Sequence, residues 1–137
     1  MQEKDIKKIT DHIIAKTGNK DLKIALTGSL ALKALGLMER EAKDLDFLIA
    51  CDSKEQALAY KSKINHLDKS KGLQTSFMKR GIWVDIFFVE RLNICDAKYL
   101  DIAIANPLET LRVKANFLDS KSIADLNYIT KKIYAPR

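Results

Sequence analysis

The chain has 137 residues, of which 47% are hydrophobic and 31% charged, and it carries a formal charge of +6 with a pI near 9.3. That length suits one domain around one core, and the composition is that of a soluble globular protein. No apolar run approaches the ~20 residues of a membrane span, the polar start Met1-Gln2-Glu3-Lys4-Asp5 is not a signal peptide, and Cys51 and Cys95 form neither a metal motif nor a disulfide scaffold.

A cytoplasmic protein with buried free thiols is therefore expected. The positive charge suits a polyanion such as a nucleoside triphosphate or RNA. Lys7, Lys8, Lys61, Lys63, Lys69 and Lys71 are nevertheless scattered rather than grouped with aromatics, so the simpler expectation is that they solvate helix faces. His12 and His66 lie far apart and suggest no zinc site.

In chain order, Ile6, Ile9, Ile13 and Ile14 fall at helical spacing over 3–16, and the helix is expected to end at Thr17-Gly18-Asn19. Lys23 to Thr27 reads as a strand, turned by Gly28-Ser29 into a helix from Leu30 to Met38. A polar connection carrying Arg40 leads to a second strand, Asp44 to Cys51. Asp52-Ser53 opens a helix over Lys54 to Leu67, and Asp68 to Gly72 is a turn. Leu73–Met78 and Ile82–Val89 predict a hairpin around Lys79-Arg80-Gly81. Tyr99 to Ala105 predicts one short last strand. Asn106-Pro107-Leu108-Glu109 has an N-cap, a proline at the first helical position and a glutamate placed for a capping box. Two C-terminal helices are expected to follow, the second from about Ser122 to Ile133.

The expected fold class is α/β (α+β): a mixed sheet of four to five strands flanked by helices, with a core over 23–89 and a helical part over 106–134. On the second strand Asp44 and Asp46 share a face, because side chains alternate along a strand. Aspartate is depleted in strands, and two desolvated carboxylates repel unless cations or donors compensate them. Asp85, on a separate apolar strand whose Trp83 and Phe87 share its face, is placed to complete a cluster. Gly28 allows close backbone approach to a ligand, and the helix start offers free N–H groups to a phosphate. The Ser29 hydroxyl suits either a phosphate contact or an ordinary N-cap. A Walker P-loop is excluded, since its lysine and spacing are missing.

Gly28-Ser29, then Asp44-Leu45-Asp46-Phe47, then Asp85 resembles the pattern of the DNA polymerase β type nucleotidyltransferase superfamily over residues 23 to 89. The spacer of fourteen residues between Ser29 and Asp44 is slightly long for that pattern. Within the superfamily the chain is similar to the abortive-infection (AbiEii-type) nucleotidyltransferases. The likeness rests on Arg40 four residues before Asp44, on a proline-started helix with Lys114, and on Asp125 in the next helix; Ala42 and Ala124 depart from it.

The resemblance implies transfer of a nucleoside monophosphate from an NTP to an acceptor hydroxyl, with pyrophosphate released. Asp44, Asp46 and Asp85 would hold two Mg²⁺ ions, and Asp85 would also accept the acceptor's proton. Gly28 and Ser29 would seat phosphates, and Arg40 and Lys114 would contact the nucleotide. An RNA end or a protein is the favoured acceptor, in a toxin–antitoxin or phage-defence setting. For Lys114 a solvated helix position is the competing expectation, and for Asp125 a helix-pairing one. The competing function is a non-catalytic nucleotide- or RNA-binding module with the same fold.

Overall fold

The structure, a computed structural model, describes residues 1–110, 128 and 131. Its elements are α1 (Glu3–Thr17), β1 (Ile24–Thr27), α2 (Gly28–Ala34), β2 (Asp44–Ala50), α3 (Lys54–Ile64), β3 (Gln74–Lys79), β4 (Ile82–Val89), β5 (Ile94–Tyr99) and β6 (Ile102–Ala105). The strands form one mixed sheet in the order β3-β4-β2-β1-β6-β5. Pairings β2–β4 and β1–β6 are parallel, and the other three are antiparallel.

Alternation along the strands separates two faces. Leu26, Leu45, Phe47, Ile49, Val84, Ile86 and Ile104 point to one, where Ile6, Ile9 and Ile13 of α1 and Ala57, Tyr60 and Ile64 of α3 complete the main core. Each fully buried large apolar side chain there contributes roughly 1.5–3 kcal/mol. On the opposite face, among the described residues, a smaller cluster of Ala25, Leu48 and Ala105 packs against Phe87, Val89, Leu92 and Ala103. Beyond that cluster, toward the start of β2 and β4, this face becomes polar.

Local chemistry explains most boundaries. Gly18 stops α1 in the left-handed conformation at φ +71°, its N–H bonded to Ala15 O. Ser53 caps α3 by accepting from Gln56 N at 3.0 Å, while Gln56 Oε1 accepts from Asp52 N at 2.7 Å, a close variant of the capping box. The hairpin between β3 and β4 turns on Arg80 and Gly81, both at positive φ (52° and 76°), as a two-residue type I′ loop requires.

Three expectations need correction. The expected strand Tyr99 to Ala105 holds only over its second half, β6: Tyr99 ends β5, and Leu100 and Asp101, both at positive φ (51° and 63°), turn the chain into β6, so the sheet has six strands. Glu109 accepts from Asn93 Nδ2 at 2.9 Å, and Asn106 N donates to Asn93 O at 2.8 Å, so Asn93 takes the place of the capping box; the Asn106 cap itself is present, accepting from Leu108 N at 3.0 Å.

Lys61, third, does not solvate α3 but is only 3% exposed. It falls on the same helix face as Ala57 and Ile64, and a buried ammonium must be paired. The loop 65–73 folds over it: Nζ donates to Ser70 O (2.9 Å), Ser70 Oγ (2.7 Å) and Gly72 O (2.6 Å), with Asp68 Oδ1 at 3.9 Å.

Both cysteines are free thiols, Cys51 buried and Cys95 partly so, and burial pushes the Cys51 thiol up. Among the described residues no helix is long and apolar enough to cross a membrane.

The loop over Lys61 predicts an acid-sensitive latch. Hydrogen bonds from the Ser70 side chain, then the Thr75 hydroxyl and the Ser70 N–H, hold the Asp68 carboxyl at about 2, against an ordinary 3.8. The folded value lies below the unfolded one, so this stabilisation is present in full above 3.8 and is lost as pH falls toward about 2. Asp68→Asn should lower the urea midpoint near neutral pH and flatten its pH dependence across that window. An unchanged slope would contradict the latch.

Candidate active site

The polar end of the second sheet face collects three acidic residues from two strands, β2 and β4. Parallel pairing of β2 with β4 places Asp46 directly beside Asp85 and Asp44 beside Trp83. Asp44 and Asp46, two apart on one strand, share that face, and all three carboxylates are half-buried. Neighbouring strands lie about 4.8 Å apart. Like charges on adjacent strands disfavour one another.

On the other side of Asp46 lies β1, with Thr27 as its register partner. The chain then turns at Gly28, φ +70°, into α2. A Cβ added at Gly28 would overlap the Asp46 Oδ2 and stand 3.0 Å from the carboxyl carbon. Glycine is needed here on two counts, the positive φ of the turn and the space taken by the Asp46 carboxylate. The close approach expected of a ligand at this glycine is thus made by Asp46.

Ser29 is buried, and its Oγ accepts from Arg40 Nη2 at 2.8 Å; α2 has no side-chain N-cap, and Thr27 occupies the cap position. The contact joins the two residues that sequence reasoning treated separately. Arg40 also donates to Glu41 O at 3.4 Å, and Lys33 of α2 is ion-paired with Glu41, so the segment before β2 is strapped to the helix after β1. That pairing holds the Glu41 carboxyl below its usual range.

Asp85 is held by its neighbours. Ser76 Oγ and Trp83 Nε1 (3.1 Å) both donate to Oδ1. Neither donor was singled out from sequence, yet both were reachable. Trp83 is two residues from Asp85 on one strand, and counting back from the Arg80-Gly81 turn pairs Ser76 with Asp85. A further polar contact, Thr27 Oγ1 to Thr110 Oγ1 at 3.0 Å, ties the helical turn at 107–110 to this end of the sheet. No short-range pattern announces it. Lys114 and Asp125 lie outside the described residues.

By donor chemistry the three carboxylates suit a hard divalent cation, which takes oxygen ligands. They share a face, and their mutual repulsion would be relieved by a cation. Their oxygens do not form a ready coordination shell: among the described residues, no group of three or more His, Cys, Asp or Glu side chains is arranged to hold a metal. The fit is therefore one of residue type and register, and binding would require side-chain rotation.

No family profile matches the chain, and no curated protein matches it in sequence. Among solved structures, it is similar to a Thermotoga maritima protein provisionally described as a nucleotidyltransferase, with a TM-score of 0.55 over 99% of this chain and 97% of that one. Identity is 13%, so the likeness is one of fold. The six-stranded mixed sheet with its flanking helices is thus similar to a nucleotidyltransferase fold.

The Gly28–Asp46 contact can be measured. Gly28→Ala should destabilise the protein by roughly 2–4 kcal/mol, about 1 from the positive φ and the rest from overlap with the carboxylate. In an Asp46→Ala background the cost should fall to about 1 kcal/mol. Equal costs in both backgrounds, measured by urea denaturation, would show that the carboxylate is not what requires the glycine.

Proposed function

We propose that the chain is a Mg²⁺-dependent nucleotidyltransferase that moves a nucleoside monophosphate from an NTP to an acceptor hydroxyl. The observation that carries this reading is the register of Asp46 beside Asp85, with Asp44 on the same face and Gly28 closed against Asp46. Such transfer depends on positioning and on neutralising charge spread over phosphoryl oxygens.

Asp44, Asp46 and Asp85 would hold the metal ions. When bound, the ions would offset the charge of the triphosphate and of the leaving pyrophosphate. The backbone at Gly28 and the hydroxyl of Ser29 would seat the outer phosphates, and the Arg40 guanidinium, oriented by its bond to Ser29, would stand beside them. Asp85 has one oxygen, Oδ1, engaged by Ser76 and Trp83, which orients Oδ2 to take the acceptor's proton.

Arg40, four residues before Asp44 and bonded to Ser29, also supports the abortive-infection reading, with its toxin–antitoxin or phage-defence setting. The non-catalytic binding module draws support from a different observation, that the carboxylate oxygens do not converge.

Incubation with each labelled NTP, Mg²⁺, and cellular RNA or protein should release pyrophosphate and move label onto a macromolecule. Asp44→Asn or Asp46→Asn should each slow this by about a hundredfold or more, equivalent to about 2.7 kcal/mol in the barrier. Mg²⁺-dependent NTP binding with no pyrophosphate from any acceptor would favour the binding module instead.

A further inference from the structure

Strand β3 lies at one edge of the sheet. It pairs with β4 from Gln74 to Lys79, and among the described residues no strand runs along its outer side. Such an edge turns alternate carbonyl and N–H groups outward without a ladder partner. The outward carbonyl of Ser76 is held instead by Asn65, the residue after α3, whose Nδ2 donates to it at 3.2 Å. The second hydrogen of that amide goes to Thr75 Oγ1 at 3.1 Å, and the Thr75 hydroxyl in turn donates to Asp68 Oδ2 at 2.7 Å. Asp68 belongs to the loop that folds over Lys61. One carboxamide thus joins that loop to the middle of β3.

The place of this contact along the strand is informative. Ser76 stands directly across from Asp85, and its Oγ donates to Asp85 Oδ1, the oxygen that also accepts from Trp83 Nε1 at 3.1 Å. By alternation, Gln74 and Met78 turn their carbonyls outward as well. A bond that only shielded the edge would serve equally at either of them. It falls on the β3 residue whose hydroxyl reaches Asp85.

We propose that Asn65 is a positioning residue for Asp85: it holds the Ser76 backbone from the outer edge, and the Ser76 hydroxyl then fixes the Asp85 carboxyl against Trp83. The rotamer a serine adopts depends on its backbone angles, so its hydroxyl is aimed only as well as its backbone is held. The β4 ladder holds β3 on one side, and Asn65 holds Ser76 on the other. The catalytic consequence rests on the proposed function; the coupling of Asn65 to Asp85 does not.

Trp83 is the chain's single tryptophan and is 43% exposed, so intrinsic fluorescence of the full chain reports on the Asp85 contact with no ligand added. Asn65→Leu keeps nearly the size of the side chain and removes both donors. Read well below the unfolding transition, it should make Trp83 more accessible to acrylamide, and Ser76→Ala should do the same, although β3 lies between Asn65 and Trp83. Thr75→Val is the control: it cuts the link to Asp68 but leaves the Asn65 bond to Ser76 O, so it should lower the urea midpoint without altering Trp83. In an Asp85→Ala background Asn65→Leu should no longer change the quenching, because the group it positions is gone. In the transfer reaction Asn65→Leu should lower kcat about fivefold and leave KM for NTP unchanged, the size expected for one neutral hydrogen bond.

Quenching that Asn65→Leu leaves unaltered would overturn the proposal and reduce Asn65 to a cap on the sheet edge. An equal change with Thr75→Val, or one that persists in the Asp85→Ala background, would overturn it as well, by showing a general loosening of β3. The expected quenching pattern in a protein that transfers no nucleotide to any acceptor would uphold the coupling and remove the enzymatic reading. Turnover in which Asn65→Leu matches the native chain, in kcat and in quenching, would do the reverse.

Discussion

The contact between Gly28 and the Asp46 carboxylate is the constraint on which the rest of this site depends. β1 and β2 are antiparallel neighbours, and the turn out of β1 must pass directly over the face on which Asp46 stands. A residue with a Cβ has neither the backbone conformation nor the space to make that turn. Once the turn is made, Ser29 is buried at the first turn of α2, and Arg40 can reach it from the segment that leads into β2. One small residue thus fixes the relation between the carboxylate strand and the hydroxyl and guanidinium beside it.

The sheet supplies the second constraint. Its main core is made on one face, where α1 and α3 pack, and this frees the other face to carry polar groups at one end. The change is visible within β2 itself. Near its start, Asp44 and Asp46 alternate with buried Leu45 and Phe47, whereas Phe47, Leu48 and Ile49 are buried in succession, because the far end is covered on both faces. A strand that begins amphipathic and ends fully apolar places its half-buried charges at one end of the sheet without giving up its core. Parallel pairing with β4 then brings Asp85 to the same end.

Much of this was legible in the residues. The alternation of β2 and β4 placed Asp44, Asp46 and Asp85 on strands, and the Arg80-Gly81 turn set the β3–β4 register. What escaped had physical causes. Leu100-Asp101 forms a turn with positive φ at two bulky residues, which carries none of the glycine or asparagine that marks such loops, so a hairpin read as one strand. Lys61 reads as surface by residue type, and only the helix register and the loop donors explain its burial. The Ser29–Arg40 and Thr27–Thr110 contacts are tertiary choices that no local pattern encodes.

Under the proposed function, a divalent cation would offset the like charge that Asp44, Asp46 and Asp85 bring to one end of the sheet. The most direct measurement is calorimetric binding of a non-hydrolysable NTP analogue with and without Mg²⁺, in the native chain and in Asp46→Asn. Binding that requires the metal and is lost with the substitution is the predicted result. Binding of equal strength without metal, or undiminished in Asp46→Asn, would contradict the assignment of this end of the sheet as a metal–triphosphate site.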